Sequence, residues 1–526
     1  MKSIKLYASL GLLMTGLAMP KMAEAKKNKK KPNIVYILAD DMGYGDVKAF
    51  NPKCQFPTPN LDQMAKGGMM FTDVHTNSSV CTPTRYGILT GRYCWRTRLK
   101  SGVLQGHSDH LIDPNRTTVA SYLKKKGYQT ACVGKWHLGM DWTSVDGKKV
   151  QQTFGENVDV KKPIKNGPLS VGFDYYFGIA ASLNMAPHAY IEGDKMKGDF
   201  ELIMDRKEFK KYGFIGARNG WIDKNFVQNQ VLTNFTDKTI SWIEQTQKKD
   251  KDKPFFVYMP LNAPHSPIVP NKQFKGKSGV APHGDFCMEV DYAVGRVMKA
   301  LDKIGILDNT LVIFTADNGV SPQANLKLLE KNNHFSSYFF RGTKGTLYEG
   351  GHHVPFIAHW PNKVKSNKRS DYLMCTTDLL ATVSDLMGDQ LGNNEGEDSY
   401  SFLPALYGKN VDDTKRQGVI HHSDGGYYSI RQGDWKLVLH EGAGSRRKDP
   451  KDKPVKNPGK IQLFNMQEDP YESNNLLKMY PDKVKELELL MAEYINNGRS
   501  TPGEPVANYG DMTKRRQLRE IKDLIQ

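Results

Sequence analysis

Cysteine is scarce. The 526 residues hold six, Cys54, Cys81, Cys94, Cys132, Cys287 and Cys375, and none of the short paired spacings that hold zinc. A disulfide scaffold and a zinc-finger architecture are therefore excluded. After the first 25 residues no apolar run is long and uncharged enough to cross a bilayer, which takes roughly 20 residues. There is no internal repeat, so a repeat architecture is excluded as well. Acidic residues are outnumbered, 57 Asp+Glu against 74 Lys+Arg, for a net charge of +17. A basic surface favours polyanions without choosing their chemistry. With 39% hydrophobic and 10% aromatic residues the chain can bury a full core, so global disorder is excluded too.

The N-terminus reads Met1-Lys-Ser-Ile-Lys5, then an apolar stretch from Leu6 to Met19, then the small-x-small trio Ala23-Glu24-Ala25. These are the three regions of a secretory signal peptide, cut after Ala25. Its loss removes Lys2, Lys5, Lys21 and Glu24 and lowers the net charge to +15. The stretch is too short for a transmembrane helix, and no Cys precedes Cys54, so a lipid-modified Cys after the leader is excluded. The product is expected to be exported, periplasmic or secreted, without stable membrane insertion. Lys26 to Lys31 reads as a solvated linker rather than a nucleic-acid arm.

From Asn33 the chain alternates apolar strands, loops and amphipathic segments, which predicts a mostly parallel sheet with helices on its faces. Four strands stand out: Ile34 to Ala39, Thr130 to Gly134, Phe255 to Pro260 and Leu311 to Thr315. Each runs straight into polar residues, respectively Asp40-Asp41, Lys135-Trp-His137, Asn262-Ala-Pro-His265 and Asp317-Asn318. Loops at the carboxyl ends of parallel strands pool on one edge, so these separated segments are expected to build one site. Past residue 410 the texture changes to short strands, Gly418 to His422, Tyr427 to Arg431 and Trp435 to His440, with Ile461 to Asn465 as a possible fourth. They predict an antiparallel sheet. Pro481 to Tyr494 has helical periodicity, and the charged tail from Thr513 to Gln526 reads as a surface helix.

The sharpest segment is Ser79-Val-Cys81-Thr82-Pro83-Thr84-Arg85, running on to Leu89-Thr-Gly91-Arg92. Thr82 suits an N-cap, Pro83 the first helical position and Gly91 the stop, so Cys81 is expected just before a helix N-terminus. Free N–H groups there favour an anion, and Arg85 on the first turn adds a fixed positive charge. Asp40, Asp41, Asp317 and Asn318 form an all-oxygen set, with no imidazole or thiolate, suited to a hard divalent cation, best Ca2+ with its about 6 to 8 oxygen ligands. Lys135 and His137, two apart on an alternating strand end, are expected to face one side.

Cys81-x-Pro83-x-Arg85 with Leu89-Thr-Gly91-Arg92 resembles the signature of type I sulfatases in the alkaline phosphatase superfamily. The resemblance continues through Asn33 to Asp46, Gly134 to Gly139, Ala316 to Gly319, Arg341 to Gly351 and Leu463 to Glu472. It implies an alkaline phosphatase-like α/β fold: a large mixed, mostly parallel sheet sandwiched by helices, spanning residues 26–410, and a smaller C-terminal antiparallel sheet plus helix over 411–526. It also implies that a formylglycine-generating maturation enzyme oxidises Cys81 to Cα-formylglycine, and that Ca2+ binds Asp40, Asp41, residue 81, Asp317 and Asn318.

The family places Arg85, Lys135, His137, His265 and Lys344 around the sulfate. The implied mechanism is attack by one hydroxyl of hydrated formylglycine on sulfur, with His265, alone or joined by Lys344, protonating the leaving alcohol. His137 then takes the proton of the second hydroxyl and sulfate departs. Segments 341–361 and 420–439 resemble bacterial carbohydrate sulfatases related to the N-acetylgalactosamine-6-sulfatase group. The expected substrate is a sulfated carbohydrate from mucin, glycosaminoglycan or algal glycan, with Asn184, His188, His422 and Asp424 as candidates to grip sugar hydroxyls. No nucleic-acid partner is implied. The alternatives are a phosphonate or phosphate ester hydrolase of the same superfamily, and a non-catalytic polyanion-binding protein with unconverted Cys81.

Overall fold

The computed structural model describes residues 30–409, 411, 415–446 and 454–526; the proposed leader, 1–25, lies outside the described residues. Ten strands form the large sheet: β1 Asn33–Asp40, β2 Met69–Phe71, β3 Gln129–Lys135, β4 Tyr175–Ile179, β5 Tyr190–Glu192, β6 Lys195–Lys197, β7 Phe255–Pro264, β8 Thr310–Ala316, β9 Phe356–His359 and β10 Lys368–Ser370. Their order is β10-β2-β9-β8-β1-β7-β3-β4-β5-β6. The central five, β8-β1-β7-β3-β4, pair in parallel. β9 and β5 turn the pairing antiparallel on either side. The sheet is thus mixed with a parallel centre, as the four strand ends predict. All eight residues of β1 are buried, which is why it reads as an unbroken apolar run rather than an alternating one.

Helices sandwich the sheet. Helix α1, Cys81–Thr90, has all ten residues buried and packs on the helices at 119–125 and 379–386. Helices α2, Val231–Lys249, and α3, Pro282–Lys303, pack on each other and on β7. In α3 the buried Phe286, Val290, Val294, Val297 and Leu301 recur at helical spacing and form one stripe. Each such side chain stabilises the fold by roughly 1.5–3 kcal/mol.

The C-terminal sheet is antiparallel in the order β11 Val419–His422, β12 Tyr428–Gln432, β13 Trp435–Val438 and β14 Gln462–Asn465. It carries helix α4, Pro481–Asn496. Its core is completed from upstream by Tyr93, Trp95 and Cys375, and Pro32–Gln526 hold together as one compact unit. The tail differs from the expected surface helix. It is a 3-10 helix, Arg516–Leu524, kinked at Ile521, and Leu518 and Ile521 are buried in the same core as Leu487 and Met491. All six cysteines are free and buried. Among the described residues no helix is long and apolar enough to cross a membrane.

Candidate active site

Four strand ends and one helix meet at Cys81. β1 delivers Asp40 and Asp41, β3 delivers Lys135, β7 leads into His265, and β8 leads into Asp317 and Asn318. Helix α1 begins at Cys81 itself, with Val80 as its N-cap, two residues earlier than the Thr82-Pro83 pattern predicts. The Thr82 hydroxyl is occupied elsewhere: it donates to His137 O at 2.9 Å and accepts from Leu104 N–H at 3.2 Å. Gly91 ends the helix in the left-handed conformation, φ 63, as expected of a C-terminal glycine. His137 is not on the strand, which stops at Lys135; it sits at φ 56, and Asp41 at φ 66. Two non-glycine residues held left-handed in one site are strain of the kind that functional loops carry.

The charged groups interlock. Arg85 donates from Nε and Nη2 to Asp317 Oδ2 at 3.0 and 2.8 Å, and from Nη1 to Lys135 O at 2.8 Å. Lys135 Nζ donates to Asp40 Oδ2 at 2.6 Å. Lys344 Nζ donates to Asp41 Oδ1 at 2.5 Å and stands 3.6 Å from Cys81 Sγ. Asn318 Nδ2 also donates to Asp41 Oδ1, at 2.8 Å, and Asp317 Oδ1 accepts the Asp41 N–H at 3.2 Å. His265 Nε2 lies 3.7 Å from Asp41 Oδ2. The three carboxylates of Asp40, Asp41 and Asp317 are balanced by the cations of Arg85, Lys135 and Lys344.

Burial acts on all of these groups. It works to raise the Asp40 carboxyl, but Lys135, His265, Arg85 and Lys344 hold it far below the usual range. Asp317 goes the other way, pushed up to about 7 by burial and by the charge of Asp40. Burial works to lower Lys344, but Asp41 and its neighbours raise it, so it keeps its proton. Burial takes His265 down to about 4. Burial, then Lys135 and Arg85, take His137 well below the ordinary histidine value. His137 Nε2 lies 2.9 Å from Leu104 O, which fixes the proton there and leaves buried Nδ1 as an acceptor without a hydrogen-bond partner.

The donor set fits a hard divalent cation. Asp40 Oδ1, Asp41 Oδ2 and Asn318 Oδ1 are buried without hydrogen-bond partners, a costly arrangement unless something binds them. One ligand atom each from Asp40, Asp41, Cys81 and His265 lie within 4.8 Å of one another. Behind the Asp40 to Asp46 loop a second cluster braces it: Asp46 accepts from His283 Nε2 at 2.9 Å, His334 Nε2 at 2.8 Å and Gly43 N–H at 2.9 Å. The sequence offered no signal for that clamp, because the two histidines lie far apart in the chain.

Cys81, His137, His265 and Lys344 open onto a cleft of about 270 Å3, also lined by Gln105, Asn184, Arg218, Gln323, Asp424 and Arg446. Of the four candidates for sugar contact, Asn184 and Asp424 line this cleft. His188 and His422 do not. His188 faces Leu183 O and Arg218 O at 3.1 and 2.9 Å, and His422 Nε2 faces Lys100 O at 3.1 Å. Both rings are buried among backbone carbonyls, which corrects the expectation that they line the cleft. Arg218, Gln105, Gln323 and Arg446 escaped sequence reasoning, since polar residues in loops carry no periodicity.

A doubly flanked parallel sheet, with a residue-81 helix and carboxylates at its carboxyl edge, defines a hydrolase of the alkaline phosphatase-like class. The sulfatase family profile matches residues 32–389, and the chain belongs to that family. It is a sulfuric ester hydrolase. It is 32% identical to an N-acetylgalactosamine-6-O-sulfatase of Bacteroides thetaiotaomicron, over 91% of this chain and 96% of that protein. It is 30% identical to human arylsulfatase A, over 85% of this chain and 84% of that one. A solved structure from a study of glycosaminoglycan metabolism by Bacteroides thetaiotaomicron superposes with a TM-score of 0.74 at 30% identity, covering 88% of this chain and 99% of that one.

Proposed function

We propose that this chain is an exported sulfatase that hydrolyses a sulfate ester on a carbohydrate, with Ca2+ held by Asp40, Asp41, residue 81, Asp317 and Asn318, and with Cys81 converted to Cα-formylglycine by a maturation enzyme. The observation that carries the reading is the set of buried oxygens without a hydrogen bond on Asp40, Asp41 and Asn318, with ligand atoms of Asp40 and Asp41 within 4.8 Å of that of Cys81, which opens onto the cleft. The carbohydrate rests on the N-acetylgalactosamine-6-O-sulfatase relative and on the cleft itself. At about 270 Å3 it lies just below the roughly 300–1,000 Å3 of ordinary small-molecule pockets, a space for one sulfated sugar unit. Export rests on the leader alone. Residues 26–410 carry the chemistry, and 411–526 supply Asp424 and Arg446 to the cleft.

When present, the cation supplies charge and acidifies a neighbouring hydroxyl, and formylglycine supplies a geminal diol where the thiol stands. The chain's own groups do the rest. Arg85, Lys135 and Lys344 are fixed by their carboxylate partners, so they meet the sulfuryl oxygens without reorganising. Lys344 holds its proton through neutral pH beside residue 81. His265, down at about 4 when free, gains basicity beside an anionic ester and can hold a proton for the departing alcohol. His137, with Nε2–H committed to Leu104 O, presents Nδ1 as the base.

The test is sulfate release from defined sulfated mono- and disaccharides, run beside phosphate diesters and phosphonate monoesters. Sugar sulfates should be the faster substrates; a phosphodiester turned over far faster would overturn the assignment. Intact mass should show residue 81 lighter by about 18 Da. A chain carrying the thiol should bind sulfated glycan and barely turn over.

A further inference from the structure

Of the three cations that face residue 81, Arg85 stands on helix α1 and Lys135 on β3, whereas Lys344 lies in the loop that precedes the short helix Glu349–His352. A long ammonium side chain is placed no better than the backbone beneath it, and a misplacement of about 1 Å at a reacting centre can cost about 100-fold in rate. What holds this loop therefore bears on catalysis. On the catalytic side Lys344 N–H donates to Val320 O at 2.9 Å and Gly345 N–H to Ser79 O at 2.8 Å. The C-terminal segment adds more bonds. Asp424 N–H donates to Gly345 O at 3.2 Å and Leu347 N–H to Ala443 O at 2.8 Å. Glu472 then takes both ends of the loop at once: its carbonyl accepts from Arg341 Nη1 at 2.6 Å, upstream of Lys344, and its Oε2 accepts the Glu349 N–H at 2.8 Å, downstream.

Glu472 is itself held rigidly. It is fully buried, and its backbone is left-handed at φ 51, a conformation that costs energy for a residue with a side chain. Its turn is tied by Asp469, whose Oδ2 accepts from Ser473 N–H and Asn474 N–H at 2.8 Å each. Its Oε1 accepts from Lys436 Nζ on β13 at 2.7 Å, and the same ammonium donates to Glu349 Oε1 at 2.9 Å. Strand β13 thus fixes both carboxylates. Two carboxylates buried on one ammonium are a poor device for stability alone, because apolar side chains of the same shape do as well. Backbone strain joined to such a set is found where a fold must hold a geometry.

We propose that Glu472 is a positioning residue for Lys344: from the C-terminal sheet it staples the two ends of the 341–349 loop and so sets the ammonium against residue 81 and the sulfate. The inference rests on the role given to Lys344 above, and it makes the C-terminal segment part of the catalytic geometry as well as a wall of the cleft.

Glu472→Gln keeps the shape and gives up one of the two side-chain bonds, because an amide has a single acceptor oxygen. On N-acetylgalactosamine 6-sulfate and the other sulfated sugars of the panel above, it should lower kcat by about 10- to 100-fold and leave KM within about twofold. A double-mutant cycle decides whether the loss runs through Lys344. In a Lys344→Ala background the same Glu472→Gln change should cost less than about twofold, since no ammonium is left to misplace. Both backgrounds are read at single turnover with enzyme in excess, so that slow variants stay measurable. Should Glu472→Gln melt early, Arg341→Met cuts the upstream bond, leaves the buried Glu349, Lys436 and Glu472 in place, and reads out the same cycle. Equal losses in the two backgrounds, or wild-type kcat in both Glu472→Gln and Arg341→Met, overturns the inference and leaves the carbohydrate sulfatase reading standing. Full activity in Lys344→Ala overturns the role of Lys344 and the inference built on it.

Discussion

The Thr82 hydroxyl ties the nucleophile's helix to the proposed base: it donates to His137 O at 2.9 Å and accepts from Leu104 N–H at 3.2 Å, while Leu104 O faces His137 Nε2 at 2.9 Å. Three residues from three segments thus lock one tautomer of one ring. Thr82→Val keeps the shape and removes both hydroxyl bonds. It leaves the buried Leu104 N–H without its acceptor, at a cost of about 1–3 kcal/mol. Turnover should fall through kcat, since His137 loses its bearing while the cleft is unchanged. A variant with wild-type kcat and wild-type urea midpoint would contradict the coupling.

Arg85 and Asp317 are both fully buried and joined by two bonds. Removing one partner of such a pair strands a charge, so Arg85→Ala should destabilise the protein by about 3–5 kcal/mol as well as abolish turnover. Arg85→Ala with Asp317→Asn should regain part of the stability and none of the activity. Urea melts of the two variants beside wild type check this; equal midpoints would show that the pair carries no load.

Much of the site was legible because a parallel strand buried on both faces must be apolar along its length and must end where the chain meets water. Asp40, Lys135 and Asp317 sit at or just beyond those ends. What was illegible depended on partners distant in sequence. Thr82 looks like a cap until His137 O takes its hydroxyl. Lys135 and His137 look like alternating strand residues until the chain turns left-handed at His137. His188 and His422 look like sugar ligands because polar residues in an apolar stretch usually face something polar; here it is the backbone. The tail's Leu518 and Ile521, three apart, suit a 3-10 helix packed on the core better than an exposed α-helix.

Removing the divalent cation should loosen the site as well as stop the reaction. Without it, Asp40 Oδ1, Asp41 Oδ2 and Asn318 Oδ1 are buried without hydrogen bonds, and Asp317 is driven up to about 7. A cation at 100 times its dissociation constant stabilises the folded state by about 2.7 kcal/mol. EGTA should therefore lower the melting temperature and the activity together, and Ca2+ should restore both. An enzyme whose melting temperature ignores EGTA would rule out calcium in this cluster.

Acid should unfold the protein earlier than its carboxylates alone would dictate. Burial pushes His107 down to about 3, with His188 lowering it further; it pushes His188 down to about 4 and His422 to about 3, against an ordinary value of 6.5. In the unfolded chain these rings take up protons as the pH falls through 6.5, and in the folded chain they do not. The stability they contribute is complete above pH 6.5 and is lost progressively as the pH falls toward 4. Each ring costs about 1.4 kcal/mol per pH unit in that window, roughly 4 kcal/mol per unit for the three. Urea midpoints measured from pH 7.5 to 4.5 should be flat above 6.5 and drop steeply below it, and His422→Gln should make the drop shallower. A midpoint that holds constant down to pH 5 would mean that these histidines are protonated in the folded protein, and would contradict the prediction.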